Sequence, residues 1–96
     1  MRSFAAFYIL FYSYFMNIYV GNLNYRVREN DLKSLMERYG AVDYVKVVKD
    51  RDTGRSKGFA FVEMPDDEDA KRAIAELNEK DLDGRKMVVK EALPRT

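Results

Sequence analysis

Cysteine and histidine are both absent from this sequence. Their absence excludes disulfides and any metal site built on thiolate or imidazole. It also removes the nucleophile–base pairs that use these residues, and the side chain that most readily moves protons near neutral pH. Carboxylates are present, but no pair of them sits in an apolar setting, so the expectation is a protein without catalysis, cofactor or metal. The absence of cysteine fits a reducing compartment, and the expected location is cytoplasmic. Charge of one sign is lacking too. Seventeen Lys and Arg against sixteen Asp and Glu leave a formal charge of +1. That excludes a uniformly basic nucleic-acid binder, while leaving room for a local basic patch. At 96 residues the chain has material for one small domain.

Residues 1–15, MRSFAAFYILFYSYF, differ from the rest. Twelve are apolar and Arg2 carries the only side-chain charge, whereas charges are dense from Arg26 onward. Three readings compete. A signal peptide would need a small-x-small cleavage site near Phe15, and there is none. A membrane span could use the uncharged run from Ser3 to Tyr25, but Asn17, Gly21, Asn22 and Asn24 fall in its second half, which a strand claims. The preferred reading starts the domain at Met16, covering 16–93. The preceding segment is then an upstream translated extension or short helix, with Phe4, Tyr8, Phe11 and Phe15 at helical spacing, and 94–96 form a tail.

From Met16 the pattern alternates between strand and helix. NIYVG (17–21) reads as a strand. Leu32, Leu35, Met36 and Tyr39 recur at i, i+3, i+4 and i+7, which predicts a helix stopped at Gly40. AVDYVKVVK (41–49) is a second strand, and DRDTGRSKG a turn cluster whose Asp50, Asp52 and Thr53 suit turn chemistry better than a metal site. KGFAFVEM (57–64) is a third strand ended by Pro65. Asp66 or Asp67 caps a second helix with Ala70, Ala73, Ile74 and Leu77 on its apolar stripe. KMVVKEA (86–92) is the last strand, after a loop containing Asp83-Gly84. The order β-α-β-β-α-β predicts an α+β, ferredoxin-like fold: a four-stranded antiparallel sheet with both helices on one face.

The third strand is apolar on both sides, and two helices can cover only one face of such a sheet. The small and branched set fits the covered face: Ile18, Val20, Val45, Val47, Gly58, Ala60, Val62, Met64, Met87 and Val89, with Gly58 leaving room for a close helix. The other face then carries Tyr19, Tyr44, Lys46, Val48, Lys57, Phe59, Phe61, Glu63, Val88 and Lys90. Exposed rings interleaved with lysines suit single-stranded nucleic acid, with rings stacking on bases and ammonium groups meeting phosphates.

Residues 17–92 resemble the RNA recognition motif. The family octamer, Lys/Arg-Gly-aromatic-Gly/Ala-aromatic-Val-x-aromatic, is matched by KGFAFVEM except at Met64, whose side chain the alternation sends to the core. IYVGNL (18–23) matches the family hexamer. The resemblance implies that Tyr19 and Phe61 each stack under a base, that Phe59 packs against riboses, and that Lys57 pairs with the linking phosphate. Lys46, Lys90 and Arg55 complete the expected site. Arg28 stands where family members often carry a Ser or Thr helix cap, so the start of the first helix is open. The expected partner is single-stranded RNA, bound by a monomer in a post-transcriptional role. Single-stranded DNA and a protein partner remain as alternatives, as does an internal lid formed by residues 1–15 over the three rings.

Overall fold

The computed structural model describes residues 16–93. The readings made for residues 1–15 and 94–96 lie outside the described residues. The β-branched and aromatic runs form β1 (Met16–Gly21), β2 (Tyr44–Lys49), β3 (Ser56–Met64) and a closing strand, β6 (Val88–Ala92). They make one antiparallel sheet in the order β2-β3-β1-β6. The helices are α1 (Glu29–Met36) and α2 (Asp67–Leu77). No helix among the described residues is long and apolar enough to cross a membrane.

Both helices bury their stripes on the same side of the sheet. Leu32 and Met36 of α1, and Ala70, Ala73 and Leu77 of α2, join Ile18, Val20, Val47, Ala60, Val62, Met64, Met87 and Val89 in one core. Met64 is fully buried there, as the alternation requires. Val45 is only half-buried, because β2 is an edge strand.

The capping differs between the helices. Asp66 caps α2 by accepting from the Asp69 N–H at 3.0 Å. At α1, Arg28 has no side-chain acceptor to offer. Asp31 reaches back instead and accepts from the Arg28 N–H at 2.9 Å, the acidic half of a capping box. The sequence periodicity carried α1 to Tyr39, but the helix ends at Met36. The chain then tightens, with the Tyr39 N–H donating to the Met36 carbonyl at 2.9 Å and Arg72 of α2 donating to the Tyr39 carbonyl at 2.7 Å.

Two further features were not expected. The segment before the last strand forms a hairpin, β4 (Asp81–Leu82) with β5 (Arg85–Lys86), turning at Asp83 (φ 51°) and Gly84 (φ 84°). Two consecutive positive φ values in a two-residue loop favour an Asp-Gly pair. The second is a bulge in β3. Val47 pairs with Ala60 and Lys49 with Ser56, so three residues of β3 oppose one of β2. Gly58, at φ 87°, takes the backbone turn that only glycine makes cheaply. The sequence suggested that a helix passes close to Gly58. The neighbour is instead the β1–α1 loop: the Leu23 N–H donates to the Gly58 carbonyl at 2.9 Å, and a Cβ on Gly58 would lie 3.3 Å from the Leu23 carbonyl and from the Tyr25 ring.

Glu29 at the start of α1 fastens the edge strand, its carboxylate accepting from the Val47 N–H at 3.1 Å. Burial opposes its ionisation, but that bond, a bond from its own N–H and the charges of Lys49 and Lys46 together outweigh burial and hold it below its ordinary value of 4.5. A carboxyl with a depressed folded pKa stabilises the fold above its unfolded pKa, and the stabilisation is lost as pH falls through the folded value. Glu29→Gln should therefore lower stability at pH 7 by about 1 kcal/mol, or roughly 4–8 °C in Tm for a domain of this size. Thermal melts of both proteins should converge as pH drops below the ordinary 4.5; a constant gap down the pH series would contradict this role.

Candidate nucleic-acid interface

The strand pairing decides which side chains meet on the face away from the helices. Tyr19 of β1 lies opposite Phe61 of β3 and opposite Lys90 of β6, while Phe61 lies opposite Lys46 of β2. These pairings produce one row straight across four strands: Lys46, Phe61, Tyr19, Lys90. Neighbouring strands run about 4.8 Å apart, so the two rings are side by side with an ammonium group at each end. Lys90 Nζ sits 5.4 Å from the Tyr19 ring centroid, within cation–π range.

Phe59 stands one pleat further along β3. Ring centroids are 5.9 Å apart for Tyr19–Phe59, 5.9 Å for Tyr19–Phe61 and 6.1 Å for Phe59–Phe61. The two phenylalanine rings meet edge to face, at 90°, an arrangement worth about 0.5–1.5 kcal/mol beyond buried area. The three rings thus hold one another and are half-buried by each other and the sheet, with no described helix above them. Tyr44, Lys46, Val88 and Lys90 on the same face are exposed.

A glycine makes the cluster possible. Gly21 follows Val20, which pairs with Ala60, so it falls beside Phe59 in the register. Lacking a side chain, it lets the Tyr19 ring lean along β1 toward Phe59. A Cβ there would come within 2.6 Å of Tyr19 Cε2. The hexamer's glycine is therefore a seat for the tyrosine ring.

Arg55 and Lys57 are placed differently from the row. The β2–β3 loop is closed by its own backbone, with the Asp50 N–H donating to the Arg55 carbonyl at 2.7 Å and the Gly54 N–H to the Asp50 carbonyl at 2.9 Å. Asp50 Oδ1 accepts from the N–H groups of Asp52 (2.8 Å) and Thr53 (3.1 Å), and these bonds hold its carboxyl below its ordinary value. This is turn chemistry, as the residue types suggested, and no cluster of three or more possible metal ligands occurs among the described residues. Arg55 and Lys57 project from this loop and the bulge beside it. They line a groove that begins at Phe59. All seven residues expected from the sequence therefore lie on this face or at its rim. Tyr25, in the β1–α1 loop, was not among the residues expected at the site; it lines the same groove and is 70% exposed.

The sequence model of the RNA recognition motif family matches residues 18–88. The chain belongs to the RNA recognition motif family. Among its relatives is RbpD of Nostoc sp., 50% identical over 80 residues, which are 83% of this chain and 85% of RbpD. The crystal structure of RNA Binding Protein PG1 is 63% identical and superposes with a TM-score of 0.83, covering 84% of this chain and 98% of PG1. The RNA recognition motif of Rna15, solved with bound RNA (GU), is 33% identical with a TM-score of 0.72, over 79% of this chain and 81% of that one. The family hexamer and octamer of this chain lie on β1 and β3, adjacent in the centre of the sheet.

Because Gly21 has no positive φ, alanine fits its backbone and the change acts on the ring above it. Gly21→Ala should leave the melting temperature nearly unchanged while displacing Tyr19 from Phe59. The check is the nuclear Overhauser contact between the Tyr19 and Phe59 rings, which should disappear in the variant.

Proposed function

We propose that this chain binds single-stranded RNA on the face formed by Tyr19, Phe59 and Phe61, as a monomer, without catalysis, in a post-transcriptional role in the cytoplasm. The observation that carries the reading is the row Lys46–Phe61–Tyr19–Lys90. Two bare rings side by side offer two stacking surfaces to consecutive unpaired bases, and the flanking lysines offer charge to the phosphates that accompany them. Phe59, edge-on to Phe61, is placed to pack on the sugars between the bases, and Lys57 is placed to meet the phosphate that links them. Double-stranded nucleic acid does not suit this face, because its bases are already stacked and its sugar-phosphate rails would meet the rings. That the Rna15 motif has been solved with RNA supports the reading.

Each stacked base contributes about 1–3 kcal/mol. Two of them, with one or two phosphate contacts, suggest roughly −7 to −8 kcal/mol, a micromolar complex. Phe61→Ala should weaken binding of a random single-stranded RNA pool by about 5–100-fold in an anisotropy titration, with the fold intact by circular dichroism. With one or two phosphates neutralised, the slope of log affinity against log salt should be shallow, about −0.7 to −1.4. Unchanged affinity in Phe61→Ala would remove the reading. Failure of the native protein to bind any pool would favour a protein-docking role for the same face. An equal-length single-stranded DNA pool in the same titration measures how far the site discriminates the sugar, since no described side chain is dedicated to the 2′-hydroxyl.

A further inference from the structure

An open sheet ends on each side in a row of backbone N–H and C=O groups that no further strand satisfies. The chain covers one of these rows itself. Beside β6 the Glu79 N–H donates to the Met87 carbonyl and the Met87 N–H to the Lys80 carbonyl, both at 2.8 Å. Asn78 Oδ1 accepts from the Val89 N–H at 2.9 Å. The segment that follows α2 therefore lines that edge.

The β2 edge has no such lining. Among the described residues one side chain bonds to its backbone, that of Glu29, whose Oε2 accepts from the Val47 N–H. This bond also fixes which way the strand faces. Backbone groups along an antiparallel strand point alternately to one neighbour and the other. Val47 turns outward, so Val45, two residues earlier, turns outward too, and no described side chain caps its N–H. Beside Val45 a groove of about 230 Å³ lies between residues 42–45 and the start of α1.

The sequence of β2 selects what fits against it. Consider a second copy of the strand laid antiparallel, with Val45 on the two-fold axis. Val45 then meets its own image, a pair that exchanges two N–H···O bonds. The same register sets the Tyr44 ring, 39% exposed, opposite Lys46 of the second copy, and Lys46 opposite the other Tyr44. These are two cation–π pairs in one interface. A register centred on Lys46 would instead oppose two ammonium groups. With Val45 on the axis, Val47 falls opposite Asp43 of the second copy. The outward N–H at that point is the one Glu29 holds, and its carboxylate would face the carboxylate of the second Asp43.

We propose that β2 is a pairing surface for a second copy of this chain and that Glu29 is the guard that keeps it closed. The carboxylate fills the hydrogen-bonding slot an incoming strand needs, and it sets a like charge against that strand's Asp43. With the guard in place the chain stays single. Without it, two ring platforms join on one face of a continuous sheet. The guard does not depend on what the ring face binds.

The experiment follows the full isotope-labelled chain by sedimentation equilibrium and amide hydrogen exchange over a rising concentration series. The native chain should keep one mass throughout, while the Glu29→Ala mass should climb toward that of a dimer. The Val45 amide, fast to exchange in the native chain, should slow in the variant in step with the dimer fraction. Removing the Tyr44 ring as well, in Glu29→Ala/Tyr44→Ala, should weaken the association. Asp66→Ala serves as the control: it removes the α2 cap and destabilises the fold to a similar extent, but leaves the β2 edge untouched, and it should stay monomeric. A Glu29→Ala chain that is monomeric at every concentration would overturn the proposal. So would equal association by the native chain or by Asp66→Ala, or a dimer in which Val45 still exchanges fast. Undiminished association without the Tyr44 ring would overturn the register that argues for a second copy.

Discussion

An antiparallel strand sends successive side chains to opposite faces, so a four-stranded sheet has two surfaces to dispose of, and the described residues supply helix for one. α1 and α2 together contribute a handful of apolar side chains, all spent on the face of Ile18, Val20, Ala60 and Val62. The opposite face meets no described helix. Among the described residues, the rings on it are therefore met by one another and by the lysines at their flanks, and the rest is left to whatever binds. Had Tyr19, Phe59 and Phe61 been aliphatic, the same face would be an aggregation hazard; rings with faces that can stack make it a receptor.

Placing a base demands more than exposing a ring. The register puts Phe61 and Tyr19 in one row with a lysine at each end, and the absence of a side chain at Gly21 lets Tyr19 lean toward Phe59. The bulge at Gly58 has a comparable local effect. By taking three residues of β3 past one of β2, it turns Lys57 and the β2–β3 loop toward the rim, and its carbonyl anchors the β1–α1 loop through Leu23. Each of the two glycines in the family hexamer and octamer thus sets the position of an aromatic ring, Tyr19 in one case and Tyr25 in the other.

The sequence revealed much of this because its periodicities are clean. Alternation assigned Met64 to the core and Phe59 and Phe61 to the open face, and the i, i+3, i+4, i+7 spacing located both helices. Its misreadings occur where period ceases to govern structure. Alternation assumes an unbroken strand, so it could not see that Gly58 interrupts β3 or that the crowding neighbour is a loop. The hydrophobic repeat carried α1 through Tyr39, whereas the backbone there tightens and is capped by Arg72, a partner 33 residues away. The Asp83-Gly84 pair carried a hairpin signal that was read only as a loop, and the two strands it joins are only two residues each. Tyr25 had no periodic neighbour to give it away; its place at the groove depends on the β1–α1 loop and Gly58, which only the fold brings together.

The most direct measurement of the central claim is the aromatic proton spectrum of the full chain as single-stranded RNA is added. Stacked bases impose ring-current shifts on the surfaces they touch. The account predicts large upfield shifts for the Tyr19 and Phe61 ring protons, while the methyl groups of Val62 and Leu32 beneath the sheet stay in place. RNA that saturates the protein with the Tyr19 and Phe61 rings unmoved would contradict it.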